Sequence, residues 1–466
     1  MRKRLSHVRR LSSPAMPPRR SARVAEVAER SSAAAALPLP ASAAHAVFRL
    51  LSACDRGRCA CVSRAWRAAM CDASLWTRLE LEKGQGDAVL LGAGLVAAAR
   101  GGLTHLDLSW DTAQLVSIEA VTRVARANAA SLRHLRLMRF NTLPLYVSEL
   151  MRLLRAAPHL LELHASIHVK SPEADTLLAG GGELAPLRLQ ELELVFSDSR
   201  FDDEAAFASL MARVAAVESV RVLKLACVSL FRVAMSDALV AAAAARRLTK
   251  LELFQCFWPA SADRCADILV SLLNGCPTLR ALSLCGVLDL PPPRLLDGAG
   301  CARFAQALLR HAALVDLELR HMQLWDGDAA VGVPLLRALA GRPTLRSLAL
   351  NDLPYGDAPL ARRAAGQALG AFVRANPPAL AFLELHKCGL ELHDLTPLCA
   401  ALPHNTRMEF LQLSGHQLTP AFINRHLMPG LRENQSLQYL DILCGGECEH
   451  QAAAADAEAY VNARRR

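Results

Sequence analysis

The chain has 466 residues, 52% of them hydrophobic and only 5% aromatic, and it carries a formal net charge of +9. That length suits two or three ordinary domains or one long array of repeats, and the apolar fraction excludes a chain disordered throughout. The charge does not argue for a nucleic-acid partner, because residues 1–32 hold nine Lys/Arg against two Glu and leave the rest close to neutral. No apolar run approaches the ~18 residues of a membrane span, so no membrane partner is expected.

Residues 1–36 read as a disordered basic tail. PPRRSAR is similar to a short basic nuclear signal, and the Arg/Ser/Ala-rich, acid-poor first 25 residues suit an organelle transit peptide. Both readings stay open beside a plain solvated tail. Residues 37–81 follow as a helical segment. Ala43, Val47, Leu50 and Leu51 recur at helix spacing, and Ala60, Cys61, Ala65, Trp66 and Ala69 make a second such face. Gly57 is expected to separate the two helices. About 40 residues of short helices bury too little apolar surface to stand alone, so a partner or the next domain must cover one face.

From residue 82 to 444 one unit repeats, Leu-x-x-Leu-x-Leu. It reads LTHLDL from Leu103, LRHLRL from Leu132, LQELEL from Leu189 and LTKLEL from Leu248. It continues as LRALSL from Leu279, LVDLEL from Leu314, LRSLAL from Leu345 and LAFLEL from Leu380. Variant copies start at Leu160, Val220, Met408 and Leu437, and WTRLEL from Trp76 is an imperfect thirteenth. Starts of the twelve units from Leu103 lie 28 to 35 residues apart, a period that marks a stacked array. In a strand, residues two apart share a face, so the fourth and sixth positions point inward and the fifth outward. Each buried Leu contributes roughly 1.5–3 kcal/mol, provided the neighbouring unit covers it. SELMRLLRAAPHL, CADILVSLLNGCPTL and FAQALLRHAAL supply helices between the strands. The expected fold class is α/β, a solenoid with a parallel sheet on its concave face and helices outside, behind a small all-α segment. Two longer steps, around Pro291-Pro292-Pro293 and LPYGDAP, read as enlarged loops. Residues 445–466 read as a C-terminal cap or tail.

A strand-loop-helix unit of this length resembles the leucine-rich repeat, in particular the long, ribonuclease-inhibitor-like and F-box-associated subtype. That subtype often carries Cys or Asn separated by two residues from the last Leu of the motif, and Cys256 and Cys388 match that place. The helical segment in turn resembles an F-box. Leu39-Pro40, Val47-Phe48, Leu51, Asp55, Val62, Trp66 and Leu75-Trp76 fall in register with the family pattern without a gap. Ser42, Ala43 and Ala44 stand where the family has an acid and a Leu pair, Arg56 where it has Leu, and Ser63 where it has Cys. The small side chains at Ala43 and Ala44 are expected to bury less area against a partner.

The resemblance implies a substrate-recognition subunit of a cullin-RING (SCF-type) ubiquitin ligase, in the cytoplasm or nucleus. Its F-box would dock on a Skp-family adaptor and its repeats would hold a target protein. The residues expected to touch the adaptor are Leu39, Pro40, Val47, Phe48, Leu50, Leu51, Val62, Trp66, Leu75 and Trp76. The residues expected to face a target are the outward fifth positions: Asp107, Arg136, His164, Glu193, Lys224, Glu252, Glu318, Glu384, Gln412 and Asp441, with Ser283 and Ala349 completing the row. Six acids against two bases suggest a basic target, with Trp110, Phe254 and Trp258 nearby; a merely soluble sheet face is the competing reading. Two other functions stay open: a non-enzymatic scaffold whose F-box-like helices only cap the array, and a GTPase-activating leucine-rich-repeat protein.

No GxxxxGK[ST], GxSxG or HExxH motif occurs, so no catalytic residue, cofactor or small-molecule substrate is expected. Fourteen cysteines are scattered without a Cys-x-x-Cys pair, and no secretory leader is read, which suits reduced thiols. Cys444, Cys448 and His450 lack a fourth ligand, so no metal is expected. Cys54, Cys59, Cys61 and Cys71 read as small core residues.

Overall fold

The alternation of the repeat is what builds the sheet. In the computed structural model, residues 41–70, 72–80, 101–108, 117–138, 145–168, 187–196, 204–245, 247–287, 298–322, 332–352, 359–442 and 451–465 are described. The basic tail, Leu39, Pro40, Cys71, Trp110, the two enlarged loops, and Cys444, Cys448 and His450 lie outside these residues. Among the described residues the strands are β1 (Arg78–Glu80), β2 (His105–Asp107), β3 (His134–Leu137), β4 (Leu145–Tyr146), β5 (Glu162–His168), β6 (Glu191–Phe196) and β7 (Val222–Ala226). They continue as β8 (Lys250–Cys256), β9 (Ala281–Gly286), β10 (Asp316–Arg320), β11 (Ser347–Asn351), β12 (Phe382–His386), β13 (Phe410–Gln412) and β14 (Tyr439–Asp441). All belong to one parallel sheet in sequence order, with β4 set aside against β5. The imperfect unit at Trp76 supplies the edge strand β1.

Three short helices precede the sheet: α1 (Ala41–Leu50), α2 (Ala53–Val62) and α3 (Arg64–Met70). Between strands run α4 (Ile118–Ala127), α5 (Val147–Ala156), α6 (Glu204–Ala216), α7 (Val233–Ala244), α8 (Ala262–Gly275) and α9 (Gly298–Arg310). They are followed by α10 (Gly332–Ala340), α11 (Pro359–Arg374), α12 (Leu392–Ala401) and α13 (Met428–Glu433). Serine caps start several of them; Ser117 and Ser261 accept from the backbone N–H groups of Ala120 and Arg264. Helices need about 10 Å of lateral room and strands about 4.8 Å, so stacking one of each per unit turns the helix-free face of the sheet concave. The architecture is an α/β leucine-rich-repeat solenoid.

The first, fourth and sixth positions form the core, as at Leu248, Leu251 and Leu253, which are 1%, 0% and 0% exposed. One contiguous cluster runs from Ala44 in α1 to Val461 near the C-terminus. After the sixth position the backbone kinks. The eighth residue takes a left-handed conformation at Cys227, Gln255, His321, Asp352, Lys387 and Gly415, with φ between 48° and 77°. That kink turns the ninth residue inward. Cys256 and Cys388, at the place noted from the sequence, are buried, and the Cys388 thiol lies 2.7 Å from the Leu350 carbonyl.

A polar ladder satisfies the backbone where helices return to strands. Asn405 Nδ2 donates to the Val373 carbonyl, and Asn434 Nδ2 donates to the carbonyls of Leu402 and Asn405. Buried Arg342 does the same work for Leu308 and Leu314. Residues 451–462 form a closing helix, α14 (Gln451–Asn462), whose Ala454, Ala457 and Val461 cover the last strand. Gly57 does not separate helices. It is buried inside α2, and the breaks fall at Ser52 and Ser63, whose hydroxyls accept from the N–H groups of Asp55 and Trp66.

Candidate functional site

The N-terminal helices present one apolar face inward and another outward. On α1, Ala44 and Phe48 are four residues apart and share the inner face, at 2% and 4% exposure. The Phe48 ring meets Trp66 at 5.3 Å between centroids. The turn Ala73–Trp76 buries Leu75 and Trp76, and Trp76 Nε1 donates to the Met70 carbonyl at 2.6 Å. His45 ties α1 to that turn through Ser74 Oγ at 3.0 Å and Asp72 at 3.4 Å. Arg56, where the family has Leu, is also buried, with its guanidinium 5.0 Å from the Trp76 ring centre. Burial pulls its pKa below the usual value.

These placements divide the residues expected to touch an adaptor. Phe48, Leu75 and Trp76 are corrected to core residues: a side chain enclosed by its own chain offers no surface to a partner. Ala44 likewise faces the core, so its small size thins this chain's own packing. Leu51 and Trp66 are half-buried against the same core. The outward face holds Val47, Leu50 and Val62, at 46%, 87% and 66% exposure. Cys61 is exposed beside them and is not a core residue; Cys59 is half-buried.

The sheet aligns the outward positions as rows. The fifth-position row runs unbroken from Glu80 through Asp107, Arg136, His164, Glu193 and Lys224 to Glu252. It continues through Ser283, Glu318, Ala349, Glu384 and Gln412 to Asp441. The third positions form a parallel row beside it. The face pairs ionically across and along strands: Lys224 Nζ on β7 is 2.7 Å from Glu191 on β6, and within β8 Lys250 Nζ is 2.5 Å from Glu252. His164 Nδ1 is 2.6 Å from Glu193 Oε2. That hydrogen bond, aided by the charges of His164, Lys224 and Arg136 and opposed by burial, holds the Glu193 carboxyl below its usual range. Burial works to lower the Lys224 ammonium, and the Glu191 hydrogen bond with the surrounding carboxylates outweighs it, so its pKa is raised. At the first strands the rings of His105 and His134 stack at 4.0 Å. At the last strands Phe382, Phe410 and Tyr439 form an aromatic stripe.

A third row at the seventh position was not singled out from the sequence. It carries Met138, Val195, Ala226 and Phe254, which floor a hollow of about 350 Å³ rimmed by Glu193, Lys224, Glu252, Ser283 and Glu318. Phe254 is 42% exposed in it. The signal was available: the residue after the last Leu is apolar in the units from Leu132, Leu189, Val220 and Leu248, and polar in those from Leu314, Leu345, Leu380 and Met408. Trp258, expected to help the concave face, is buried at 6%. Among the described residues no group of three or more His, Cys, Asp or Glu could hold a metal ion, and no helix is long and apolar enough to cross a membrane.

Residues 37–82 match the F-box-like family model. The segment is F-box-like, and the array behind it is built of leucine-rich repeats. No curated protein matches the chain. Among solved structures, the chain is similar to the leucine-rich repeat-containing protein LegL7 from Legionella pneumophila. That match has 18% identity and a TM-score of 0.40, covering 70% of this chain and 96% of that one. It is also similar to a chain of the yeast Rad7 and Elc1 complex, with 14% identity and a TM-score of 0.44, covering 92% and 94%. A third similar structure, the actin-binding site 2 of leiomodin-1, has 13% identity and a TM-score of 0.24, covering 44% and 92%. No residue role is carried over from any of them.

Proposed function

We propose that this chain is the substrate-recognition subunit of a cullin-RING ubiquitin ligase. The F-box-like segment docks on a Skp-family adaptor through Val47, Leu50 and Val62, and the concave face of the array holds a target protein. The chain performs no chemistry of its own; a separate ubiquitin-charged enzyme acts on the held target, in the cytoplasm or nucleus. The observation that carries this reading is the F-box-like match at residues 37–82, on a segment that leaves three apolar side chains outward once its own core is closed. Exposed apolar side chains are what an adaptor groove would desolvate.

The competing role, capping, has its own support: Trp76 and Leu79 are buried in the same core as the first full repeat. Capping uses the inner face and docking the outer, so both act together unless the outer face binds nothing. Co-purification of the full chain with a Skp-family adaptor tests this. Retention of the adaptor by the wild type and its loss on Leu50→Asp is the expected result. No retention by the wild type, or retention unaffected by Leu50→Asp, removes the ligase reading and leaves the scaffold.

A further inference from the structure

We infer that the hollow over strands β6 to β10 is the target-recognition pocket, and that it takes a bulky apolar side chain from a protein segment flanked by Lys or Arg. This rests on the proposed role of the array as the target-holding part, and it names the chemistry of the target.

Three observations converge. The first is shape: a recess of about 350 Å³, at the lower end of the ~300–1,000 Å³ range of ligand pockets, is lined by the apolar seventh-position residues Met138, Val195, Ala226 and Phe254, with Gln255 and Arg320 also reaching it. Phe254 keeps 42% of its surface open to it, while Val195 and Ala226 behind it are closed off. An inserted side chain would remove that apolar surface from water. The second is charge. The third- and fifth-position rows together carry ten carboxylates against four Lys/Arg, a net of −6, in a chain whose net charge is +9. The concave face is therefore opposite in sign to the molecule that bears it, which favours a basic partner and rejects an acidic one.

The third is pairing. The rim cations are already engaged, Lys224 with Glu191 at 2.7 Å and Arg320 with Glu318 at 2.8 Å. A carboxylate has about four acceptor positions, so one such pairing leaves several unused. The Lys224 ammonium, held between Glu191 and Glu252, has little to offer an anion, and Arg320 is then one cation among the carboxylates of Glu193, Glu252 and Glu318. An incoming Lys or Arg thus gains more partners at the rim than an incoming Asp or Glu.

The test uses the full chain without adaptor and fluorescein-labelled synthetic peptides read by anisotropy. The probe is Gly-Lys-Arg-Ser-Phe-Ser-Arg-Lys-Gly, with one version carrying Ala for Phe and another carrying Glu for every Lys and Arg. Saturable binding of the probe is expected. The Ala version should bind about tenfold more weakly or worse, the Glu version should not bind, and affinity should fall as salt is raised. Phe254→Ala and Ser283→Trp, the second plugging the mouth from a partly exposed position, should each weaken the probe by about tenfold or more. Leu360→Ser, on the outer helix layer, should leave it unchanged. Equal binding of the Phe and Ala peptides, no saturable binding, or indifference to both hollow variants overturns the assignment. Self-association of the chain that Phe254→Ala abolishes overturns it in favour of a second copy as occupant. Adaptor capture is read separately: its failure beside intact peptide binding sinks the ligase reading alone, and the reverse sinks the pocket alone.

Discussion

Leu50→Ala and Phe48→Ala, two residues apart on α1, should have opposite effects. Leu50 is 87% exposed, so truncating it in the free chain removes almost no packing and should shift stability by less than ~0.5 kcal/mol. Phe48 is 4% exposed and its ring packs at a tilt against Trp66, so truncating it should cost about 3–5 kcal/mol. Docking reverses the order of direct effects. Burying a Leu side chain is worth ~1.5–3 kcal/mol, and nearly all of that is still available at Leu50. Its loss should weaken adaptor binding by ~2 kcal/mol, roughly 30-fold. Thermal unfolding of each variant, with titration of purified adaptor against the immobilised chain, reads both quantities. Equal melting-temperature losses for the two variants would refute the division of α1 into an inner and an outer face. Unchanged adaptor affinity for Leu50→Ala, in a chain whose wild type binds, would refute the placement of the docking patch.

Three further outcomes follow from buried groups. Asn434→Ala removes two donated bonds, to Leu402 and Asn405, and the acceptor for the Ser436 and Leu437 N–H groups. At ~1 kcal/mol or more for each buried partner left unsatisfied, the variant should lose about 3 kcal/mol, and hydrogen exchange should quicken first in the last two repeats. The Glu193 carboxyl is depressed chiefly by its hydrogen bond to His164, so its contribution is full above the ordinary glutamate range and lost as pH falls through the folded-state value. Glu193→Gln should therefore be less stable than wild type near neutrality, and urea midpoints should show the gap closing in acid. Burial pushes the thiols of Cys265 and Cys399 up to about 12, whereas Cys61 is exposed. Brief maleimide treatment at neutral pH should label Cys61 and spare those two until the chain unfolds, as peptide mass spectrometry would show.

The array was legible because its determinant is local. Leu at the first, fourth and sixth positions fixes which face of each strand is buried, and that choice fixes the row of Asp107, Arg136, His164 and their successors. The left-handed eighth position was not legible: Cys227, Gln255, His321, Asp352 and Lys387 share no preference for that conformation, and the requirement comes from the stack. In the N-terminal segment the apolar positions were visible, but treating all of them as contacts ignored helix geometry. Ala44 and Phe48, at i and i+4, share the inner face; Leu50, two residues past Phe48, is turned away from it and Val47 lies at its edge. Arg56 could not have been placed in the core by residue type; its guanidinium lies over the Trp76 ring, 20 positions away. The hollow was not legible from the motif because its apolar residues, Met138, Val195, Ala226 and Phe254, stand at the seventh position, one past the last Leu.

The join between the two parts bears on how a target would be presented. A single residue, Thr77, separates the turn Ala73–Trp76 from β1, and Trp76 and Leu79 on either side of it are buried in one core. There is no tether here to average over orientations. A docking patch on α1 and α2 is therefore held at a set angle to the sheet by the packing that caps the sheet. Strands succeed one another at about 4.8 Å and β4 lies off the path, so the hollow at β7 and β8 stands roughly 25 Å along the array from β1. Under the proposed function, the lysines of a target that can be modified are then selected by where its basic segment inserts along the array, since the array shares one core with the F-box-like segment. The buried face of the F-box-like segment is thus as much a part of target selection as the exposed one: loosening Trp76 would leave every docking side chain in place and still misdirect what is held.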